Sequence, residues 1–438
     1  MIDPSVLAEN PERVKQHLRK RHAAQDTFAL VDRAVELAST RRAAIAERDR
    51  LRAQRNTLSK DIGDAMKAGN AAAADAMKTA VGEGKVRIDA LETELTSVEA
   101  ALAEIALGLP NLVHDDVPDG KHESDNPVVR TWGTPRRMSG DSHVEIGARL
   151  GGLDLERAAK LSGARFAVLL GDVARLERAL INWFLDVHTN ENGYTEVLVP
   201  YVVQRHCAVG TGQLPKFEKD MFRLAEPLNG ADAFLVPTAE VPVTNLHREE
   251  ILDEASLPIR YAAFTPCFRS EAGSAGRDVR GIIRQHQFHK VELVWTTTPE
   301  RANEDHLALR RHAETLLERL DLPYRTVLHC GGELSFGATR CFDLEVWLPS
   351  QGGYREISSV SWFGDFQARR MSLRYRAGEG ARKGKVAFAH TLNGSGLAVG
   401  RTLVAILENH VRDDGSVSIP APLQPYMGGR DHIAARLT

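Results

Sequence analysis

Phe268-Arg269-Ser270-Glu271, a loop of glycines and arginines, and the return Gln285-His286-Gln287-Phe288-His289-Lys290-Val291-Glu292-Leu293-Val294 form an unusual concentration of charge inside strand-like sequence. The loop between them carries Gly273, Gly276, Arg277, Arg280, Gly281 and Arg284. Residues two apart on a strand face the same side, so Arg269 and Glu271 are predicted to converge on one surface. An arginine there can fork onto a phosphate, and a glutamate can accept from an adenine amino group. Phe288 offers a flat face on which a base can stack. A surface hairpin with cross-strand salt bridges would account for any one of these residues, but not for their clustering.

Further segments carry similar chemistry. Glu356-Ile357-Ser358-Ser359 follows a strand-like stretch with Asp343 and Glu345, and its carboxylate and hydroxyl are hard oxygen donors suited to Mg²⁺ on a nucleotide. An exposed strand edge explains that segment equally well. Thr238-Ala239-Glu240 after Pro237 reads either as a small polar site or as a helix cap. Gly394–Arg401 reads as a glycine-rich turn that lets backbone approach a ligand, with Arg401 opening the last helix. Two nucleotide signatures are excluded. Gly378–Lys385 has one residue too many for a P-loop, and Val386 stands where Ser or Thr would hold magnesium. Gly394–Gly400 spaces its glycines wrongly for a dinucleotide fingerprint, and no regular βαβ succession surrounds it.

Toward the N-terminus, Phe28 to Leu107 is predicted to be helical almost throughout. Leu30, Leu37, Ala44, Leu51, Leu58 and Ala65 recur every seven residues, one edge of a coiled-coil seam. After a turn at Gly69-Asn70, Ala74, Met77, Val81, Ile88, Leu91, Leu95, Val98, Leu102 and Ile105 resume the pattern, with Gly84 filling the one gap. Matched stripes on either side of a short turn predict an antiparallel hairpin. Helices of roughly 35 residues would reach about 50 Å, far more than a compact core requires. The outgoing helix is cationic (Arg41, Arg42, Arg48, Arg50, Arg52, Arg55, Lys60) and the returning one acidic. Mutual attraction within a solvated helix pair explains much of that division, and a cationic stripe gripping a phosphate backbone explains it as well. Residues 108–127, rich in proline, glycine and acids, read as a linker, and beyond them apolar-alternating strands interleave with helices.

Composition limits the remaining choices. The 438 residues allow two or three domains, and 43% hydrophobic residues suffice for a full core. A net charge of −3 argues against indiscriminate nucleic-acid binding, so any RNA contact must be local. No apolar run is long enough for a membrane span, and Met1–Ser5 has no secretory character, so a cytoplasmic protein with no membrane partner is expected. Cys207, Cys267, Cys330 and Cys341 are scattered and read as buried thiols. Their spacing, like that of His286 and His289, suggests no zinc site.

Over nearly its whole length the chain resembles the bacterial-type seryl-tRNA synthetases, members of the class II aminoacyl-tRNA synthetases. The unit ending at Pro200 resembles motif 1, Phe268–Glu292 motif 2, and Gly394–Arg401 motif 3. The FRSEAGSAGRD, RQHQF and HTLNGSGLAVGR strings are specific to the serine enzymes, and Thr211–Phe217 and Thr238–Glu240 also read as strings of that family. The resemblance implies an α+β fold: an N-terminal long antiparallel α-helical hairpin (a coiled coil), then a class II domain on an antiparallel β-sheet flanked by helices. Residues 1–110 would be a tRNA-binding arm and 111–438 the catalytic domain. The implied activity is ATP- and Mg²⁺-dependent formation of seryl-adenylate from L-serine, then transfer to tRNA(Ser), with tRNA(Sec) left open, by a homodimer. Arg269 and Arg401 would grip phosphates as catalytic residues. Glu271 and Phe288 would read adenine, with Ser270, Ile357 and Ser358 in the same ATP site. Glu356 and Ser359 would hold the metal, and Thr238, Ala239, Glu240, Glu292 and Ser395 would bind serine. Arg41, Arg42, Arg48, Arg52 and Arg55 would contact tRNA. Ser361-Trp362-Phe363-Gly364 is more aromatic than the family pattern. Two rival readings are a related ligase acting on a carrier protein and a non-catalytic RNA-binding paralogue. The intact arm opposes the first, and retention of Arg269, Glu271, Glu356 and Arg401 opposes the second.

Overall fold

The computed structural model describes residues 1–137, 140–272, 281–378 and 383–436. The motif 2 loop residues Gly273, Gly276, Arg277 and Arg280, and the centre of the P-loop look-alike at 379–382, lie outside the described residues. Two compact units result, Met1–Pro110 and Asn111–Thr438.

The first unit is dominated by two long helices, α1 (Gln25–Lys67) and α2 (Ala71–Gly108). At 43 and 38 residues they exceed the lengths expected from the apolar seam, because the helical pattern continues past the last seam residues at both ends. The turn has a clear chemical cause. Gly69 takes a left-handed φ of 72° to end α1, and the Asn70 side chain then accepts from the Ala73 N–H to cap α2. Leu37 and Ala44 on one helix and Ala74, Ile88, Leu91, Leu95, Val98 and Ile105 on the other are buried. Leu30 remains 37% exposed.

The second unit is built on an eight-stranded sheet: β1 (Val128–Trp132), β2 (Thr195–Glu196), β3 (Ile259–Phe268), β4 (Gln287–Thr297), β5 (Tyr324–Leu328), β6 (Arg340–Leu348), β7 (Gly353–Gly364) and β8 (His390–Ala398). Their spatial order is β1-β5-β6-β7-β8-β4-β3-β2. Every pairing is antiparallel except the short edge contact of β2 with β3. The helices that contribute most to the core are α3 (Gly171–Asn190), α4 (Ala302–Arg319) and α5 (Val399–Asn409). Strand alternation divides the sheet into an apolar and a polar face. On β4, Val291, Leu293 and Trp295 enter the core, while Phe288, Lys290 and Glu292 line the cleft on the opposite face.

The glycine run at 394–400 is not a turn. It forms the second half of strand β8 and leads directly into α5. A Cβ on Gly394 would come within 2.5 Å of Leu309 Cδ2 and 3.0 Å of Val360 Cγ2, so the glycine lets α4 pack close against the middle of the sheet. From Asn111 onward the proline-bearing stretch is anchored to the second unit. Asn111 donates from its side chain to the carbonyls of Gly337 and Phe363, both at 2.8 Å, and Val113 and Val117 pack with Leu334 and Phe363.

Candidate active site

The polar face of the central strands floors a cleft of about 410 Å³. Arg269 and Glu271 lie beyond the end of β3 rather than on it, so strand alternation is not what aligns them. Glu271 turns back through a left-handed φ of 49°, and both side chains still reach the cleft. The Arg269 guanidinium carbon sits 5.2 Å from the centre of the Phe288 ring, and its Nε donates to the Pro237 carbonyl at 3.3 Å. Across the cleft, Arg401 projects from the first turn of α5. Its Nη1 lies 3.3 Å from Glu356 Oε2 and donates to the Glu356 carbonyl at 2.6 Å, and its Nε donates to the Ile283 carbonyl at 3.2 Å.

Residues three apart on a regular strand face opposite sides, yet Glu356 and Ser359 both line the cleft. The cause is an irregularity in the pairing of β6 and β7. Leu344 pairs with Ser358 and Glu345 with Glu356, which leaves Ile357 as the extra residue of a bulge. Desolvation by the cleft walls works against ionisation of Glu356, whose side chain keeps 50% exposure, but Arg401 and then Arg269 hold its carboxyl below the ordinary value. A hard carboxylate beside a hydroxyl, close to two guanidiniums, fits a Mg²⁺-bound phosphate chain.

A second polar cluster occupies the buried end. Glu292 forms an ion pair with Lys290 and accepts from the Asn393 side chain at 2.7 Å. Glu240, 7% exposed, has no cationic partner at hydrogen-bond distance among the described residues. It accepts from Gln367 Nε2 at 2.7 Å, and Gln367 is itself fixed by the Thr391 hydroxyl at 2.7 Å. Burial, reinforced by the charge of Glu292, pushes the Glu240 carboxyl up to about 7. The arrangement can accept a small cationic group and stabilise it among carboxylates.

Models of two families match the chain: the seryl-tRNA synthetase N-terminal domain over residues 1–113 and the class II tRNA synthetase core domain (G, H, P, S and T) over residues 222–410. The serine–tRNA ligase of Nitratidesulfovibrio vulgaris is 52% identical, over 99% of this chain and 100% of its own length. The chain belongs to the seryl-tRNA synthetase family. The Pyrococcus horikoshii seryl-tRNA synthetase solved with ATP superposes with a TM-score of 0.93 at 38% identity, covering 100% of both chains. The cytoplasmic serine–tRNA ligase of Naegleria fowleri solved with AMP gives 0.90 at 30% identity, covering 100% of this chain and 99% of its own.

Within this seryl-tRNA synthetase fold, the cleft brings together Thr238, Glu240, Arg269, Glu271, Phe288, Glu292, Glu356, Ile357, Ser359, Ser395 and Arg401. Three other residues named from the sequence do not line it. The Ser270 hydroxyl turns away to the Lys219 carbonyl at 2.5 Å, Ser358 donates to the Ser395 carbonyl at 2.7 Å, and Ala239 is wholly buried beside Val243 and Val294. Sequence reading did not single out Lys290 or Asn393 as site residues. Lys290 sits two positions from both Phe288 and Glu292, and Asn393 two before Ser395, so strand alternation carried the missing signal. Gln213, Ile283 and Gln285 reach the cleft from connecting segments, where no period points to them. The His286 ring donates from Nδ1 to the Arg269 carbonyl at 3.0 Å, and His289 lies 3.1 Å from Glu177, so both are satisfied polar groups. In the aromatic departure, Phe363 lines the cleft while Trp362 turns to the core face.

Proposed function

We infer that the chain is a serine–tRNA ligase that forms seryl-adenylate from L-serine and ATP and then charges tRNA(Ser). The convergence of Arg269, Arg401 and Glu356 in a single cleft with the buried carboxylates Glu240 and Glu292 carries this reading. A polyanion and a small ammonium are the two ligands that such a set of guanidiniums and buried carboxylates accepts.

In the first step a serine carboxylate oxygen attacks the α-phosphorus of ATP, and the bond to pyrophosphate breaks. No protein nucleophile is required. Arg269 and Arg401 offset the charge that grows on the phosphate oxygens, and positioning supplies much of the remaining acceleration. Phe288, already stacked under Arg269, receives the adenine ring, and Glu271 accepts from its amino group. Glu356 and Ser359 are the residues that would hold Mg²⁺, which when bound supplies further positive charge to the phosphate chain. Glu240 binds the serine ammonium in its ionised form, with Thr238, Glu292 and Ser395 completing a pocket for the hydroxyl. In the second step the terminal ribose hydroxyl of tRNA attacks the acyl carbon and AMP leaves.

Residues 1–110 serve as the tRNA-binding arm and 111–438 as the catalytic domain, reached through 108–127. Arg42 and Arg55 make no ion pair among the described residues and are the strongest arm candidates for phosphate contact, joined by Arg41, Arg48 and Arg52 once their present partners are displaced. Leu198, 85% exposed beside the two-residue edge strand β2, supports a homodimer formed along that edge. No described helix is long and apolar enough to cross a membrane, and the cytoplasm is the proposed location. Pyrophosphate exchange across a panel of amino acids tests the reading. Serine should be activated about 10⁴-fold better than alanine, because alanine leaves the hydroxyl-binding groups unpaired. Comparable rates with both would overturn it. Charging assays with tRNA(Ser) and tRNA(Sec) settle the RNA range.

A further inference from the structure

Beyond the residues assigned to ATP and serine, His329, Cys341 and Asp343 meet on the cleft-facing side of β5–β7. Antiparallel pairing brings His329 opposite Cys341, whose carbonyl accepts the His329 N–H at 3.0 Å. Asp343 follows two residues along β6 and therefore points the same way. One nitrogen, one sulfur and one oxygen donor lie within 4.8 Å of one another, the only such cluster of three among the described residues. His329 Nε2 is 2.9 Å from Asp343 Oδ2, and the Ser359 hydroxyl lies 3.1 Å from Cys341 Sγ as a fourth polar group. Spacing along the chain hides this set, because the histidine and the cysteine come from different strands.

The chemistry differs from that of the Glu356–Ser359 position. Zinc binds thiolate sulfur at about 2.3 Å and imidazole or carboxylate at about 2.0–2.2 Å, commonly with four ligands. Donor atoms around such an ion are about 3.5 Å apart, so rotamer adjustments close this cluster around one. The site is shielded: Cys341 is 2% exposed, and the His329 and Asp343 side chains 13% and 15%. Magnesium, which prefers six oxygen ligands, finds no such shell in a mixed nitrogen–sulfur–oxygen set.

We propose that His329, Cys341 and Asp343 form a binding site for a thiophilic divalent cation of the zinc class, distinct from the magnesium position and bordered by Ser359. The site stands or falls independently of what the cleft activates. Cobalt(II) is the probe: it is added to the full-length, chelator-treated chain and followed by its sulfur-to-cobalt charge-transfer absorption. One cobalt per chain is expected, displaced by zinc and retained against a large excess of magnesium. Cys341→Ser should abolish the band. Cys330→Ser, which removes the neighbouring thiol at the His122 carbonyl, should leave it unchanged. His329→Leu should weaken binding more than about 100-fold, beyond what loss of an outer hydrogen bond produces. Absence of the band in the wild-type chain, or equal binding by Cys341→Ser, would overturn the proposal and leave a hydrogen-bonded cluster. Should Cys341→Ser fail to fold, undiminished cobalt binding by His329→Leu would overturn it equally.

Discussion

The helical arm and the cleft use the same side chains for opposite ends. On the arm, Arg41 meets Glu99 at 2.8 Å, Arg52 meets Glu92 at 2.5 Å and Arg87 meets Glu47 at 2.9 Å, all well exposed to water. In the cleft, Glu292 is 1% exposed and Glu240 7%. Water screens the first group, so each pair adds little and its members can exchange partners. Burial removes that screening in the second, so each charge needs a fixed partner or shifts its proton affinity. Charge pattern alone therefore does not separate a binding surface from an active site; desolvation does.

Separating the two regions should give the largest effect. Removal of residues 28–107 should abolish tRNA charging while serine-dependent pyrophosphate exchange stays within a few-fold of the intact chain. Intact-chain binding to tRNA should weaken steeply with salt, as phosphate contacts require. Unchanged charging after the deletion would show the arm to be merely structural. Within the cleft, Arg269→Ala should lower pyrophosphate exchange by about 10²–10³-fold, the loss expected for one well-placed donor to developing charge. Its thermal unfolding should stay near that of the parent, since the side chain's direct protein contacts are the Pro237 carbonyl and the Phe288 ring.

Glu240 offers a test that no arm carboxylate can match. Its carboxyl is raised from 4.5 to about 7, so the folded chain holds this proton where the unfolded chain has released it. The resulting cost to stability is absent below about pH 4, grows as pH rises toward 7, and is complete above it. Glu240→Gln keeps the acceptor for Gln367 and removes that cost, so it should stabilise the chain by on the order of 3 kcal/mol at pH 8 and little at pH 4. Serine binding needs the ionised carboxylate, so wild-type kcat/KM for serine should fall about tenfold per pH unit below 7. The variant should be slow and lose this dependence. A wild-type profile that is flat between pH 5.5 and 8 would reject the assignment.

Local rules made different parts of the molecule legible. The arm could be read from its heptads and from Gly69-Asn70, because helix period and capping act over a few residues. Arg269, Glu271 and Phe288 could be read as one cluster from their own segment, but the more distant cleft residues could be joined to them only by resemblance to known strings, because their convergence depends on pairing between distant strands. Three features show the limit. The glycines at 394–400 read as a turn, but tertiary packing against Leu309 and Val360 places them in a central strand. Glu356 and Ser359 share a face only because of a bulge, which no residue in that segment announces. Arg269 and Glu271 both reach the cleft through backbone that has already left the strand.

The smallest expected effect tests the arm side of the comparison. Glu92→Ala removes the partner of Arg52, which retains 44% exposure of its side chain and can be solvated at once. The unfolding midpoint should move by no more than about 4 °C at low salt and by less at high salt. Affinity for tRNA should rise slightly, because Arg52 no longer has to leave a carboxylate before it meets a phosphate. A large loss of stability would place this pair among the structural charges and dissolve the distinction between the two regions. A fall in tRNA affinity would show that Glu92 orients Arg52 rather than competing for it.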